Sequence, residues 1–407
     1  MKRFSLLSLC VVGGSALVLL FGFVAPNTFT FSNVPKLLSS IFFVDSTTTV
    51  ALKESYRSGE RIRVLIVPGH DNESWGTEFL GIREADMTLA LGEELYAFLK
   101  ADSHFDPVIT REKNGYTDEF QNYFDKDTGR VRGFVANKKR VMQDLLKQGL
   151  AEKEEGVVHN TVVSSVAYRL YSINTWANEN DIDLVIHIHI NDYPGRRWNQ
   201  TGRYDGFTVY VPDGQYSNAK PSRVIGEAIA STLSTVLATS NLPTEAGQGG
   251  VVPDQELIAL GSYNTLDPAS VLIEYGYIYE PQFRTTASRE VIVHEFAFQT
   301  YLGLNQFFGN FLETFRTYKT SLLPYQFKHT LTQGSPAGRD ILSLQEALSL
   351  QGVYPPDGED LHSCPKSGHF GPCTRRGVRE FQELFGLPST GYVDAGTQAK
   401  LSELYSR

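Results

Sequence analysis

Positive charge is in short supply. The chain has 37 Lys and Arg against 46 Asp and Glu, for a formal net charge of -9 and a pI near 5.6. A nucleic-acid binder usually carries a basic face, and this composition argues against one. Neutral and mixed-charge partners stay open, as does a local basic patch. Phosphate-loop chemistry lacks a vehicle too: Gly247-Gln248-Gly249-Gly250 has no strand-to-helix setting. Cysteine is nearly absent, with three in 407 residues and no CxxC-type zinc spacing. The bias of a disordered chain is missing as well, since 41% of residues are hydrophobic and 20% charged. This length suffices for one large domain and one smaller one, each with its own core.

The N-terminus carries a distinct segment. Met1-Lys2-Arg3 precedes an uncharged, mostly apolar run from Phe4 to Ala25. Such a run can span a bilayer as a helix. The flanking Lys2 and Arg3 favour a cytoplasmic N-terminus and place the rest outside. Residues 1–27 therefore read as a single-pass anchor in the lipid bilayer, or as a cleaved signal segment. Pro26 makes cleavage after Ala25 awkward, and both readings export the protein. Cys10 follows Leu9 rather than a small residue and stands too early for a lipoprotein site, so it reads as lipid-facing.

Residues 28–60 mix Ser, Thr and Pro without sustained periodicity and read as a linker. From Arg61 the pattern is strand, loop and helix, repeated. Val64–Val67, Leu184–Ile190 and Ser270–Ile273 are buried-strand runs. Pro107–Thr110 and Phe207–Val211 read as further strands. Helices are expected over Ala85–Lys100, Val166–Asn180, Ser222–Leu237 and Glu290–Phe311. This alternation predicts an α/β domain over 61–318: a twisted, mostly parallel sheet flanked by helices. Residues 112–160 are charged, weakly patterned and read as an insertion. Residues 319–339, with Gly334-Ser335-Pro336-Ala337-Gly338, read as an interdomain linker. Residues 340–407 form a separate, small all-α three-helix unit.

In parallel α/β sheets, ligands bind beyond the carboxyl ends of the strands. His70 lies just past Val64–Val67, His189 near the end of Leu184–Ile190, and Glu274 at the end of Ser270–Ile273. Glu84 opens a helix, where the dipole favours a carboxylate. Two imidazoles and a carboxylate would hold Zn²⁺ and leave a fourth position open. Read singly, His70 caps a turn and Glu84 caps its helix. His187 and His189 alternate with isoleucines and face one side of their strand, so spacing does not choose between them. Glu274 follows an apolar strand, where an unpaired charge is costly, and this favours a site role.

The local sequences carry more. Val64-Leu65-Ile66-Val67-Pro68-Gly69-His70, Gly81-Ile82-Arg83-Glu84-Ala85-Asp86, Thr110-Arg111, Ile188-His189-Ile190-Asn191 and Ala269–Tyr277 occur in that order. Together they resemble the zinc-dependent N-acetylmuramoyl-L-alanine amidase family. The resemblance implies that His70, Glu84 and His189 bind zinc and that Glu274 is the catalytic carboxylate. It leaves His187 as a neighbouring support, with Asn191, Arg111 and Arg83 structural or substrate-positioning. The implied reaction cuts the amide between the lactyl group of N-acetylmuramic acid and L-alanine in peptidoglycan. Zinc would polarise the carbonyl, and Glu274 would move the proton. Two departures stand out: Val67 where the family usually has an acidic residue, and Asp71 where it usually has Gly. In some relatives an added segment near 112–160 shields the site, so this one is expected to regulate access; a regulatory protein partner stays open.

Leu344-Gln345, Leu348, Gly352-Val353-Tyr354, Phe381-Gln382, Thr390-Gly391-Tyr392 and Thr397 through Leu401 resemble the three-helix peptidoglycan-binding domain. Cys364 and Cys373 flank Pro365–Pro372, and export would permit a disulfide between them. Two other functions fit parts of the pattern: a non-catalytic wall-binding or regulatory protein on the same fold, and a zinc peptidase cutting within the stem peptide.

Overall fold

In the computed structural model the described residues are Phe43, 47–154, 163–193, 195–309 and 318–406. The expected membrane segment lies outside them. No helix among the described residues is long and apolar enough to cross a membrane.

Six strands build the main sheet: β1 (Ile62–Pro68), β4 (Phe105–Ile109), β7 (Leu184–Asn191), β8 (Thr208–Pro212), β9 (Val251–Asp254) and β10 (Ala269–Tyr277). Their order is β4-β1-β7-β10-β8-β9. The first four are parallel, β8 runs antiparallel to β10, and β9 follows β8 in parallel. Two short hairpins, β2–β3 (Glu78–Phe79, Ile82–Arg83) and β5–β6 (Arg111–Glu112, Gly115–Tyr116), stand apart from the sheet.

Strand periodicity sorts the side chains onto two faces. Val64, Ile66, Ile186, Ile188, Val271 and Ile273 share one core with helices α2 (Glu84–Ala101), α6 (Ala219–Leu233) and α7 (Thr286–Phe308). Leu65, Val67 and Val185 pack on the other face with Phe120, Phe124 and Trp176, from α3 (Asp118–Lys126) and α5 (Ser164–Glu179). Both faces are thus covered, as a mostly parallel sheet requires. Strand β10 continues past Ile273, so Glu274 lies within it, just before a register shift that ends at Tyr277.

The two linker expectations need correction, and the insertion, to which no fold was assigned, proves helical. The linker proposed for 28–60 contains helix α1 (Thr49–Ser58), which buries Leu52 and Tyr56 in the main core and starts on a Thr48 side-chain cap. The insertion holds two helices, α3 and α4 (Thr128–Lys147), whose Phe120/Phe124 and Val131/Val135 pairs recur at helical spacing and point inward. The segment 319–339 is packed rather than free. Leu322 enters the catalytic core, while Leu323, Phe327 and Leu331 enter the C-terminal one. Thr320 and Ser321 hydroxyls donate to buried Glu295 at 2.9 and 2.5 Å.

The C-terminal unit is formed by α8 (Arg339–Leu350), α9 (Pro372–Leu384) and α10 (Ala395–Tyr405) around Ile341, Leu344, Leu348, Val378, Phe381 and Leu401. Its two motif glutamines are buried and fully engaged. Gln345 donates to Thr374 Oγ1 at 3.0 Å and accepts from Gly368 N–H at 3.0 Å. Gln382 donates to Thr390, Tyr392 and Thr397, each at 2.9 Å, and accepts from Gly391 N–H at 2.9 Å. Cys364 and Cys373 are joined as a disulfide. The loop they close faces the catalytic domain. Lys366 Nζ donates to Thr235 O at 2.7 Å while pairing with Glu346 at 2.6 Å, and His369 Nε2 lies 3.3 Å from Pro281 O. Just before the loop, His362 meets Asp205.

Candidate active site

Two rows of side chains cross the sheet on the face that carries α5. In the lower row, His187 is the register partner of Val67 on β1 and of Leu272 on β10, and Leu272 neighbours Tyr210. In the upper row, at the carboxyl edge, His189 pairs with Glu274, and Glu274 with Thr208. Register therefore separates the two histidines that spacing left equivalent.

His70 follows β1 in a left-handed conformation (φ 64°), which turns its ring back over the sheet edge. Glu84 opens α2 and lies between the two imidazoles. Its Oε2 is 3.2 Å from His70 Nε2 and its Oε1 is 3.1 Å from His189 Nδ1. The same oxygens accept the N–H groups of Thr77 at 3.0 Å and Ile190 at 3.2 Å. One potential ligand atom from each of His70, Glu84 and His189 falls within 4.8 Å of the others. Glycine permits this crowding: a Cβ on Gly69 would strike the His189 ring, and one on Gly76 would strike Glu84 and His70.

The electrostatics follow from this enclosure. Burial works against the charge of Glu84, yet His70 and His189 hold its carboxyl far below the usual range. Burial also pulls His70 down, but Glu84 more than offsets this and the net shift is upward. His189 stays lowered, with burial outweighing Glu84. Burial pushes Glu274 well up, helped by the Glu84 and Glu245 carboxylates. Its Oε2 is enclosed with no hydrogen-bond partner among the described residues.

Arg111 is buried behind the site. It donates to Pro68 O, Gly69 O, Ala85 O and Thr88 Oγ1 at 3.2, 3.2, 2.6 and 3.0 Å, tying the His70 turn to the start of α2. The carbonyl of Asn191 accepts the Ile278 N–H at 3.0 Å, beyond the register shift in β10. Neither ring nitrogen of His187 has a hydrogen-bond partner among the described residues, and burial followed by the neighbouring His189 lowers its pKa to about 3. Val67, where the family usually has an acid, is its neighbour; an apolar side chain there gives His187 nothing to bond.

Sequence reasoning missed three contributors. Asp71 Oδ1 accepts from Glu73 N–H at 2.9 Å and Ser74 N–H at 2.8 Å, and Oδ2 accepts from Arg169 at 2.6 Å. The Asp-x-x-Ser pattern was a readable turn signal. Glu245 accepts from Thr208 Oγ1 at 2.8 Å and Tyr210 Oη at 2.5 Å, beneath Glu274; nothing local marked it. Arg169 reaches the site loop from α5, a long-range contact without a local pattern.

Two imidazoles and one carboxylate from three elements, with a further carboxylate alongside, suit a borderline-soft divalent ion such as zinc. The chemistry such a site defines is that of a hydrolase on an α/β sheet. Residues 64–306 match the profile of the N-acetylmuramoyl-L-alanine amidases, and residues 337–401 that of a peptidoglycan-binding domain. This chain belongs to the N-acetylmuramoyl-L-alanine amidase family. Among solved structures it resembles the CwlD amidase of Clostridioides difficile in complex with the GerS lipoprotein: 15% identity, 61% of this chain, 99% of that one, TM-score 0.39. An N-acetylmuramyl-L-alanine amidase of Mycobacterium smegmatis matches at 16% identity, over 61% of this chain and 97% of that one, TM-score 0.39. No curated protein matches.

Proposed function

We propose that the amidase reaction of this chain is zinc-dependent, with His70, Glu84 and His189 as the ligands and Glu274 as the proton carrier. The observation that carries this reading is the convergence of those three side chains beside a carboxylate with one oxygen unpartnered among the described residues. When bound, zinc supplies a Lewis acid that polarises the lactyl carbonyl and acidifies water. Glu84 contributes negative charge and, through Thr77 and Ile190, a fixed orientation. Glu274 Oε2 takes the proton of the attacking water and hands it to the departing nitrogen of L-alanine. The raised proton affinity that burial gives Glu274 suits a group that must carry that proton between steps.

The C-terminal unit would hold the insoluble wall while the catalytic domain cuts. The apolar run Phe4–Ala25 supports placement at the outer face of the cytoplasmic membrane, which cell fractionation tests. Mass spectrometry of digested peptidoglycan tests the cleavage. The reading expects intact stem peptides freed from muramic acid. Shortened stems would mean a peptidase, and no released product would mean a non-catalytic wall binder.

A further inference from the structure

Of the chain's three tryptophans, Trp176 is buried while Trp75 and Trp198 are 41% and 65% exposed. An exposed indole keeps a large apolar face in water, and clustered apolar exposure marks a binding surface more often than a lone side chain does. Both residues lie on loops at the carboxyl edge of the sheet. Trp75 precedes Gly76, the glycine packed against His70 and Glu84, and its carbonyl accepts the Ala85 N–H at 3.1 Å.

The loop carrying Trp198 is joined to the same wall. Asp192 Oδ2 accepts from Thr77 Oγ1 at 2.6 Å, Arg196 donates to Glu78 O at 2.9 Å, and Asn199 Oδ1 accepts from Leu80 N–H at 2.8 Å. Trp198 thus sits between two anchored residues, Arg196 and Asn199, while its own indole projects outward. Leu80, 61% exposed at the tip of the β2–β3 hairpin, ties that hairpin to the Trp198 loop through its N–H bond to Asn199. The Arg83 guanidinium lies over the ring of Trp75 at 4.6 Å, which helps to fix an indole that is still 41% exposed.

We propose that Trp75 and Trp198 form a subsite for the glycan strand, stacking on sugar rings that flank the reacting muramic acid. The proposal rests on the amidase reading. The bond to be cut hangs from a lactyl group on a pyranose ring, so a sugar must lie next to the catalytic groups. Its neighbours along the strand must then extend past the lips of the site. A pyranose presents a flat face of C–H bonds, which a planar indole covers well and with little loss of side-chain freedom. A stem peptide has no comparable flat face.

The test uses the full-length enzyme and soluble muropeptides of increasing glycan length. In the parent, kcat/KM should rise with strand length. Trp75→Ala and Trp198→Ala should each lower the long-strand value about fivefold, mainly through KM, and the double variant should flatten the dependence on length. Trp198→Phe should recover much of the loss, because a flat ring returns. The C-terminal unit contains no tryptophan, so peptide-free glycan strands should shift the tryptophan fluorescence of Glu274→Gln protein through the lip alone. An unchanged length dependence in the double variant, or no fluorescence response at saturating glycan, would overturn the proposal. If the parent frees no stem peptide while glycan still shifts its fluorescence and the double variant does not respond, the subsite stands and the amidase reading fails.

Discussion

Buried polar groups are treated in opposite ways in the C-terminal unit and near the carboxyl edge of the main sheet. In the C-terminal unit, Gln345 and Gln382 each have donors and acceptors matched to neighbouring backbone and hydroxyls. At the catalytic edge, Glu274 Oε2 and both nitrogens of His187 have no partner among the described residues. A satisfied buried amide specifies one packing arrangement, because any other leaves it unpaired. An unsatisfied carboxylate costs stability and persists where something outside the fold is meant to meet it. The same physics thus marks a fold-determining residue in one domain and the proposed proton carrier in the other. His187 fits neither case: it stands outside the His70, Glu84 and His189 group and has no partner among the described residues.

The contrast is broken most severely at the catalytic edge. His70→Ala and His189→Ala should lose bound zinc and activity together. Glu274→Gln should retain zinc and lose about 10²–10⁴-fold in turnover, because it removes proton transfer alone. Metal content and muropeptide release rates on the three variants check this, and near-normal turnover of Glu274→Gln would remove it from catalysis.

Next comes the satisfied amide. Gln382→Leu strands the Gly391 N–H and should destabilise the C-terminal unit by about 2–3 kcal/mol. Weaker sedimentation with insoluble wall should follow, while small soluble muropeptides are still hydrolysed. Denaturant unfolding of the full chain gives the first quantity.

Glu280 is an intermediate case. Its oxygens accept from Gly206 N–H at 3.0 Å, Tyr277 N–H at 2.7 Å and Gln282 at 2.7 Å, yet burial raises its pKa from 4.5 to about 7. The folded state therefore binds the proton more tightly than the unfolded chain. Its contribution to stability is full below about pH 4.5 and is lost as pH rises through about 7. In Glu280→Gln that slope should vanish, so the difference between parent and variant unfolding midpoints should change with pH across this window. Gln282 Oε1, which has no partner among the described residues, can accept from the new amide after a flip.

The smallest effect is expected at His187. Replacing it with Leu removes unpaired polar atoms from a buried row, so stability should hold or rise by about 1 kcal/mol, where Gln382→Leu falls. Thermal unfolding of the two variants side by side gives opposite signs. A large loss at His187 would reveal a partner for its ring.

Much of the sheet was legible in the chain because strand runs such as Leu184–Ile190 state their burial locally; His70, His189 and Glu274 lie at or near the ends of such runs, while the roles expected of them and of Glu84 came from the resemblance. Spacing alone did not choose between His187 and His189, since both share one face and only their cross-strand neighbours differ; the resemblance chose His189. Helix α1 escaped notice because just Leu52 and Tyr56 of its ten residues are buried. Phe120, Phe124, Val131 and Val135 did have helical spacing, diluted by the charges of the insertion. Glu245 and Arg169 act across the fold, and no local pattern could have placed them.

The packing of residues 319–339 changes what kind of machine the two domains make. As a free chain, those 21 residues would let the C-terminal unit roam about 25 Å. Here Leu322, Ser321 and the Lys366–Thr235 contact remove that play. Grip and blade become one casting. A wall strand held by the C-terminal unit would therefore meet the sheet's carboxyl edge at one fixed offset.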